Sequence, residues 1–219
     1  MGIKYAVNEK FFDVWSPRMA YTLGYIFADG CLQELPEFRQ KYISVTSTDT
    51  ETIERLKNWM SSSHIDVHKK SSHPNRKIGY TLRIGNLSLY KSLTKRGVYP
   101  RKSLIIRFPD VPDRMLRYFI LGYFDGDGCI ALEKIKRKSG KIRTRKLGAI
   151  FTSGSPLFLK DLSEQISAAI GVKNQKIIKT WTAYQLRYST TDSEKLFHFM
   201  YKGAGENEFL KRKHDIFKE

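Results

Sequence analysis

The sequence predicts an α+β protein made of two pseudo-symmetric αββαββα repeats, residues 1–108 and 109–219, with antiparallel sheets. Three observations predict it. A nonapeptide occurs twice: residues 23–31 read Leu-Gly-Tyr-Ile-Phe-Ala-Asp-Gly-Cys and residues 121–129 read Leu-Gly-Tyr-Phe-Asp-Gly-Asp-Gly-Cys, identical at six of nine positions with an offset of 98. Weaker echoes follow in the same order. Ile43-Ser-Val-Thr-Ser47 matches Ala149-Ile-Phe-Thr-Ser153, Tyr80-Thr-Leu-Arg83 matches Tyr184-Gln-Leu-Arg187, and Arg101-Lys102 matches Arg212-Lys213, at offsets of 106, 104 and 111. Order kept while the offset drifts is what duplication followed by loop insertion leaves behind. Finally, each half alternates helix-period and strand-period segments, the pattern of helices laid on one face of a sheet.

In each half the elements run helix, hairpin, helix, hairpin, helix. Ser16-Pro17 is an N-cap followed by proline at the first helical position, and Pro112 is expected to open the equivalent helix in the same way. Gly30 and Gly128 stand where those helices should stop. Residues 42–46 alternate as a half-buried strand, and Ile53, Leu56, Trp59 and Met60 recur at helical spacing. A short strand at 80–84 and a helix through Leu87, Leu89, Tyr90 and Leu93 complete the first half. The second repeats the plan: strand 148–152, helix 156–170, strands near 175–187 and helix 191–201. Residues 103–111 are too short a connector to hold the halves apart, so they should pack together.

Charge narrows the partner. Lys plus Arg number 39 against 22 Asp plus Glu, a formal net charge of +17, which points to a polyanion and above all to nucleic acid. No apolar run is long enough to span a membrane and the first residues lack the apolar core of a secretion signal, so a cytoplasmic or organellar setting is expected. The two cysteines, Cys31 and Cys129, form no Cys-x-x-Cys pair and are expected to be small buried residues. His64 and His68 flank Ile65 and Val67 in strand-like alternation, which argues against a zinc pair on a helix.

Two features of the repeated motif break local rules twice. Gly24 and Gly122 lie inside otherwise apolar helices, each at a cost of about 1 kcal/mol relative to Ala, which a helix tolerates where another backbone must come close. Asp29 and Asp127 each end a helix, where the dipole disfavours a carboxylate by about 0.3–1 kcal/mol. If the two helices pair in parallel, the carboxylates converge, and either one is protonated or a cation lies between them. A hard divalent ion such as Mg2+ suits such oxygen ligands.

Thr22-Leu-Gly-Tyr-Ile-Phe-Ala-Asp-Gly30 and Ile120-Leu-Gly-Tyr-Phe-Asp-Gly-Asp-Gly128 resemble the nonapeptide that names the LAGLIDADG homing endonucleases, here in the two-motif, monomeric arrangement. Phe27 departs from the acidic residue usual at the sixth position; the eighth, the metal ligand in that family, is Asp in both copies. The resemblance implies a site-specific double-strand DNA endonuclease that uses Mg2+, with Mn2+ or Ca2+ able to substitute for binding, and leaves 3′ overhangs. It implies motif helices at the interface between halves, Asp29 and Asp127 as catalytic metal ligands, and the carbonyls of Ala28 and Gly126 as further ligands. It also implies two sheets forming a saddle on double-stranded DNA with a long, partly asymmetric target. An intron maturase, an RNA-binding splicing cofactor on the same fold, is the alternative.

Around the acids, Lys102 and Lys213 are candidates for orienting water and neutralising the phosphorane-like charge. Ser47 and Ser153 are candidate water-organising groups at strand ends, and Gly154 against Thr48 makes the two subsites unequal. Base and backbone readout is expected from strand residues facing away from the helices: Gln40, Tyr42, Ser44, Thr46, His68, Lys70, Thr81 and Arg83 in the first half, and Lys146, Thr152, Lys179, Gln185 and Arg187 in the second. Residues 133–146 carry eight Lys or Arg and one Glu, so this hairpin, with Lys136, Arg137 and Lys138, should hold phosphate.

Overall fold

The computed structural model describes residues 5–35, 37, 40–65, 67–69, 78–137 and 139–218. In chain order the elements are helix α1 (Pro17–Asp29), strands β1 (Gly30–Leu35) and β2 (Gln40–Ser47), helix α2 (Thr50–Trp59), strands β3 (Val67–Lys69) and β4 (Gly79–Ile84), and helix α3 (Leu87–Lys95). A single 3-10 turn, Lys102–Leu104, leads to α4 (Asp113–Asp127), β5 (Gly128–Lys136), β6 (Ile142–Ser153), α5 (Pro156–Ile170), β7 (Ile177–Lys179), β8 (Tyr184–Arg187), α6 (Thr190–Tyr201) and α7 (Lys211–Lys218). Each half therefore has the expected αββαββα order, and α7 is an addition to it. Both sheets are antiparallel and share one topology, β1-β2-β4-β3 and β5-β6-β8-β7.

Helix starts follow their caps. The Ser16 hydroxyl accepts from the Met19 amide, with Pro17 in the first turn. Ser155, followed by Pro156, does the same for α5 through Phe158. Pro112 is a correction: it is itself the N-cap residue of α4, at extended φ −58 and ψ 141, and caps with no side chain. Its ring still presets the chain for the helix, but one residue earlier than expected.

The motif helices lie at the centre. Nine of the thirteen residues of α1, Met19 to Phe27, are buried, as are Leu116 and every residue from Phe119 to Asp125 in α4. They run parallel and touch backbone to backbone. A β-carbon on Gly24 would collide with the Phe119 carbonyl and the Tyr123 amide, and one on Gly122 would collide with the Tyr21 carbonyl. This is the close approach for which a glycine is worth its helical cost. Ring contacts then tie the halves together: Phe27 meets Phe119 edge-on and stacks on Phe158. Two ion pairs reinforce the seam, Arg212 with Asp49 at 3.0 Å and Arg107 with Asp161 at 2.8 Å.

Sheet register decides which residues face outward. Cys31, Ser44 and Arg83 are paired neighbours on one face, and Gly30, Val45 and Leu82 on the other. The second face packs against the helices. The cysteines are thus corrected: both are exposed, because each follows a buried glycine and alternation turns it outward. The second hairpin is the longer, with strands of 9 and 12 residues against 6 and 8. It carries a bulge where Ala131 pairs with Gly148 but Leu132 pairs with Lys146. Gly148, at φ 150, lets the bulged strand pass the Tyr188 carbonyl. Among the described residues no helix is long and apolar enough to cross a membrane.

Candidate active site

Because α1 and α4 are parallel and equally long past their crossing, Asp29 and Asp127 emerge side by side. Asp29 reaches across to Gly126: its Oδ2 lies 3.4 Å from where a β-carbon on that glycine would stand. Each helix ends abruptly. Gly30 and Gly128 turn straight into extended backbone, and their amides donate back to Ile26 and Phe124. Each acid is thereby the last helical residue and the first to clear the sheet.

Two buried lysines answer the unfavourable dipole. Lys102 and Lys213 are each only 5% exposed. Lys102 Nζ donates to the carbonyls of Phe27 at 2.8 Å and Ala28 at 3.3 Å. Lys213 Nζ donates to those of Phe124, Asp125, Gly126 and Gly128 at 2.6, 2.8, 3.4 and 2.6 Å. A cation at the negative helix pole, bonded to the carbonyls of the last turn, stabilises both the helix end and the adjacent carboxylate. Local chain geometry delivers them. Arg101 sits in the left-handed region (φ 56, ψ 32), rare for a residue with a side chain, and swings Lys102 inward at the head of the 3-10 turn. In α7, Arg212 leaves toward Asp49 of the first half while its neighbour Lys213 turns to the core.

The electrostatics follow from burial and like charge. Asp127 is pushed up to about 6, first by burial and then by the Asp29 charge, while Lys102 and Lys213 pull it down. Asp29 reaches the surface, yet the protein walls around it still strip away water and raise it; Lys213, Lys102 and the nearby Tyr25 hydroxyl oppose that. Burial lowers both lysines, Lys213 to about 8, with the Asp125 carboxylate the main opposing influence there. The result is a solvent-facing pair of acids that resist being ionised together, next to the backbone carbonyls of Ala28 and Gly126. Those two carbonyls make the longest lysine contacts of their sets. Two carboxylates and two weakly engaged carbonyls are the hard oxygen donors a divalent cation prefers, so the residues present fit such an ion. Among the described residues no group of three or more His, Cys, Asp or Glu is gathered as an alternative metal site.

No protein-family model matches the chain, and no curated protein does. Solved structures do. The chain is similar to the meganuclease I-SmaMI bound to uncleaveable DNA, with 15% identity over 93% of this chain and 87% of that one and a TM-score of 0.59. It is similar to the homing endonuclease I-WcaI bound to its DNA recognition sequence (11% identity, 95% and 91% covered, TM-score 0.61). A mesophilic variant of the homing endonuclease I-DmoI is matched over 97% of this chain and all 100% of that one, at 15% identity and TM-score 0.59. This chain has the LAGLIDADG homing-endonuclease fold.

On the LAGLIDADG fold the remaining expected residues divide. Gln40, Tyr42, Thr46, Thr81 and Arg83 lie on the outer face of the first sheet, where Arg83 stacks 3.9 Å from the Tyr42 ring centre, Tyr42 bonds Gln40, and Thr46 bonds Thr81 at 2.8 Å. Ser44 shares that face but is covered by its neighbours. In the second sheet Thr152 and Gln185 are paired outer residues, and Arg187 donates to Gln185 at 2.7 Å. Lys179 is a correction: it pairs with Tyr184, opposite buried Ser153, on the helix-side register, and Ile178 takes the outer place beside Gln185. Lys136 and Arg137 are exposed at the end of the long hairpin. Lys70 and Lys138, and the side chains of His68 and Lys146, lie outside the described residues.

The serines differ from expectation. Ser47 and Ser153 are buried, and their hydroxyls accept from the Asp49 and Ser155 amides at 3.1 Å, closing the turns into α2 and α5. Ser47 also receives the Tyr25 hydroxyl at 3.2 Å. They shape the floor of the site rather than face its solvent. The Lys213 ammonium spreads its three donors over four carbonyls, so they are engaged by the backbone. Gly154 marks a real inequality: a β-carbon there would strike the Ser103 carbonyl, so only glycine lets the Lys102 turn pack so close.

One group escaped the sequence reading. Asp125, at the motif position that holds Phe27 in the first copy, is 2% exposed. Its Oδ2 accepts from the Tyr21 hydroxyl at 2.6 Å and from the Leu210 amide at 2.8 Å. Arg55 donates to the Tyr21 hydroxyl at 3.1 Å and to the Phe209 carbonyl at 2.9 Å. First-half residues thus anchor the segment that begins α7 and carries Lys213. The available signal was an acid on an apolar helix face, which must be hydrogen-bonded if it is buried.

Proposed function

We propose that the protein is a site-specific, metal-dependent DNA endonuclease that cuts both strands of a duplex as a single chain. The observation that supports this best is the convergence of Asp29 and Asp127 at the ends of two parallel helices, between two outward-facing polar sheets on a chain of net charge +17. Solved proteins with this fold were captured on DNA, I-WcaI on its recognition sequence. Asp29, Asp127 and the carbonyls of Ala28 and Gly126 would hold Mg2+, which when bound lowers the pKa of water and stabilises charge on phosphate and leaving oxygen.

The chain's own residues do the rest. Lys102 and Lys213 keep the two acids ionisable without competing for phosphate. Tyr25, whose hydroxyl donates to Ser47, lines the Asp29 side of the site. The outer faces carry Gln40, Arg83, Gln185 and Arg187, whose planar amide and guanidinium groups suit base edges. Lys136 and Arg137 extend the footprint along phosphate. Cleavage at two offset phosphates across the minor groove should leave 3′ overhangs.

Selection of cleaved sites from a randomised duplex library with Mg2+ tests this reading. A recurrent site, cut on both strands by wild type and by neither Asp29→Asn nor Asp127→Asn, is expected. Cutting that persists in EDTA, or in both asparagine variants, overturns it.

A further inference from the structure

Trp181 is 99% exposed, the largest wholly uncovered apolar side chain among the described residues. Its setting is ordered rather than loose. The turn 180–183 joins β7 to β8, and the Thr180 amide donates to the Ala183 carbonyl at 2.8 Å, as does the Thr180 hydroxyl. The Ala183 amide returns a bond to the same hydroxyl at 3.3 Å. A turn whose backbone is already ordered needs no further backbone ordering when a partner arrives, so only the indole's two χ angles remain to be fixed.

Register shows where the turn lies. Lys179 and Ser153 both pair with Tyr184, and Phe151, two residues back, pairs with Gly128. The turn therefore overhangs the end of the second sheet from which β5 starts, immediately after Asp127. Beside it on the outer face are Ile178, 38% exposed, and Gln185, with exposed Arg187 two residues further along β8 and exposed Lys176 just before β7. An apolar tip beside outward cations fits a duplex, whose phosphates meet Lys176 and Arg187 while the indole packs on sugar or base edges.

We propose that Trp181 is a DNA-contact residue that flanks the cleavage centre and adds binding free energy of non-electrostatic origin. This rests on the endonuclease reading above. The probe is a fluorescein-labelled duplex of mixed sequence, long enough to span both sheets, titrated by anisotropy in Ca2+ over a range of salt. Trp181→Ala should weaken binding about tenfold with an unchanged salt slope, and Trp181→Phe should recover most of the loss. In Trp15→Phe/Trp59→Phe protein, where Trp181 is the sole indole, emission should shift and quench on DNA addition. The side chain touches nothing in the fold, so thermal unfolding of Trp181→Ala should match wild type. Equal affinities of wild type and Trp181→Ala overturn the inference while leaving the endonuclease reading intact. A wild type that binds no duplex overturns both. Loss of self-association in Trp181→Ala with duplex affinity unchanged overturns it in favour of a second copy of this chain.

Discussion

The Lys213 ammonium donates to the Gly128 carbonyl at 2.6 Å, one residue beyond Asp127, and so bridges the last turn of α4 to the first residue of β5. A cation in this place caps the helix and faces its terminal acid at once. Lys213→Met keeps the length and removes the charge. It should cost about 1.5–3 kcal/mol of stability, the range for hydrogen bonds to a charged group, since several buried carbonyls lose their donor. Urea unfolding reads this directly. A variant as stable as wild type would show that water or backbone adjustment replaces the cap.

Asp127 gives a pH signature in metal-free protein. Its folded pKa of about 6 lies above the ordinary 3.8, so the native state binds the extra proton between those values. Its contribution to stability is fully present below the ordinary value and is lost as pH rises through about 6. Asp127→Asn cannot titrate, so its stability should gain on wild type as pH rises from about 4 to about 6 and stay level above. A divalent ion must meet the ionised form, so thermal stabilisation by Ca2+ should grow over the same window in wild type and be absent in the variant. A Tm difference between the two proteins that is flat with pH would overturn the assignment.

Gly24 and Gly122 should be intolerant of any side chain. Alanine improves helix propensity by about 1 kcal/mol, but its β-carbon would meet the Phe119 or Tyr21 carbonyl across the interface. Backbone cannot yield like a side chain, so either substitution should cost a net of about 3 kcal/mol or more and separate the acids. Thermal unfolding of Gly24→Ala, beside Gly205→Ala as a control at a glycine without positive φ whose β-carbon would make only ordinary contacts with the Glu208 side chain, checks it.

The long hairpin should add affinity more than selectivity. Lys136 and Arg137 are exposed near its tip, and replacing both with Gln should flatten the slope of log affinity against log salt by up to about two, near 0.9 per phosphate contact. The order of preference among duplex sequences should hold. A changed preference with the slope intact would place these residues on bases.

The Arg55–Tyr21–Asp125 network should matter for stability. Arg55→Ala leaves the Phe209 carbonyl unpaired and removes the cation that faces buried Asp125, a loss of about 3 kcal/mol. Hydrogen exchange at the Leu210 amide, bonded to Asp125, should speed more than exchange in β2. Uniform acceleration would mean the network is not local to α7.

Local chemistry by itself determined much of this protein. Duplication, the caps at Ser16 and Gly30, the alternation in β2 and the pairing of Gly24 with Gly122 are all written in residue spacing, because helix and strand periods and hydrogen-bond needs are short-range. The two terminal acids were legible because each broke a helix rule in the same way. What only the tertiary structure decided depends on contacts between distant segments. That Lys102 and Lys213 turn inward to cap helices, 74 and 85 residues or more away, follows from the left-handed turn at Arg101 and the docking of α7, neither of which has a local period. The outward cysteines, the misjudged side of Lys179 and the buried serines were set by strand register, where a shift of one residue exchanges the faces. Asp125 was hidden for the same reason: its partners Tyr21 and Leu210 lie 104 and 85 residues away, and only the closed interface brings them within hydrogen-bond reach.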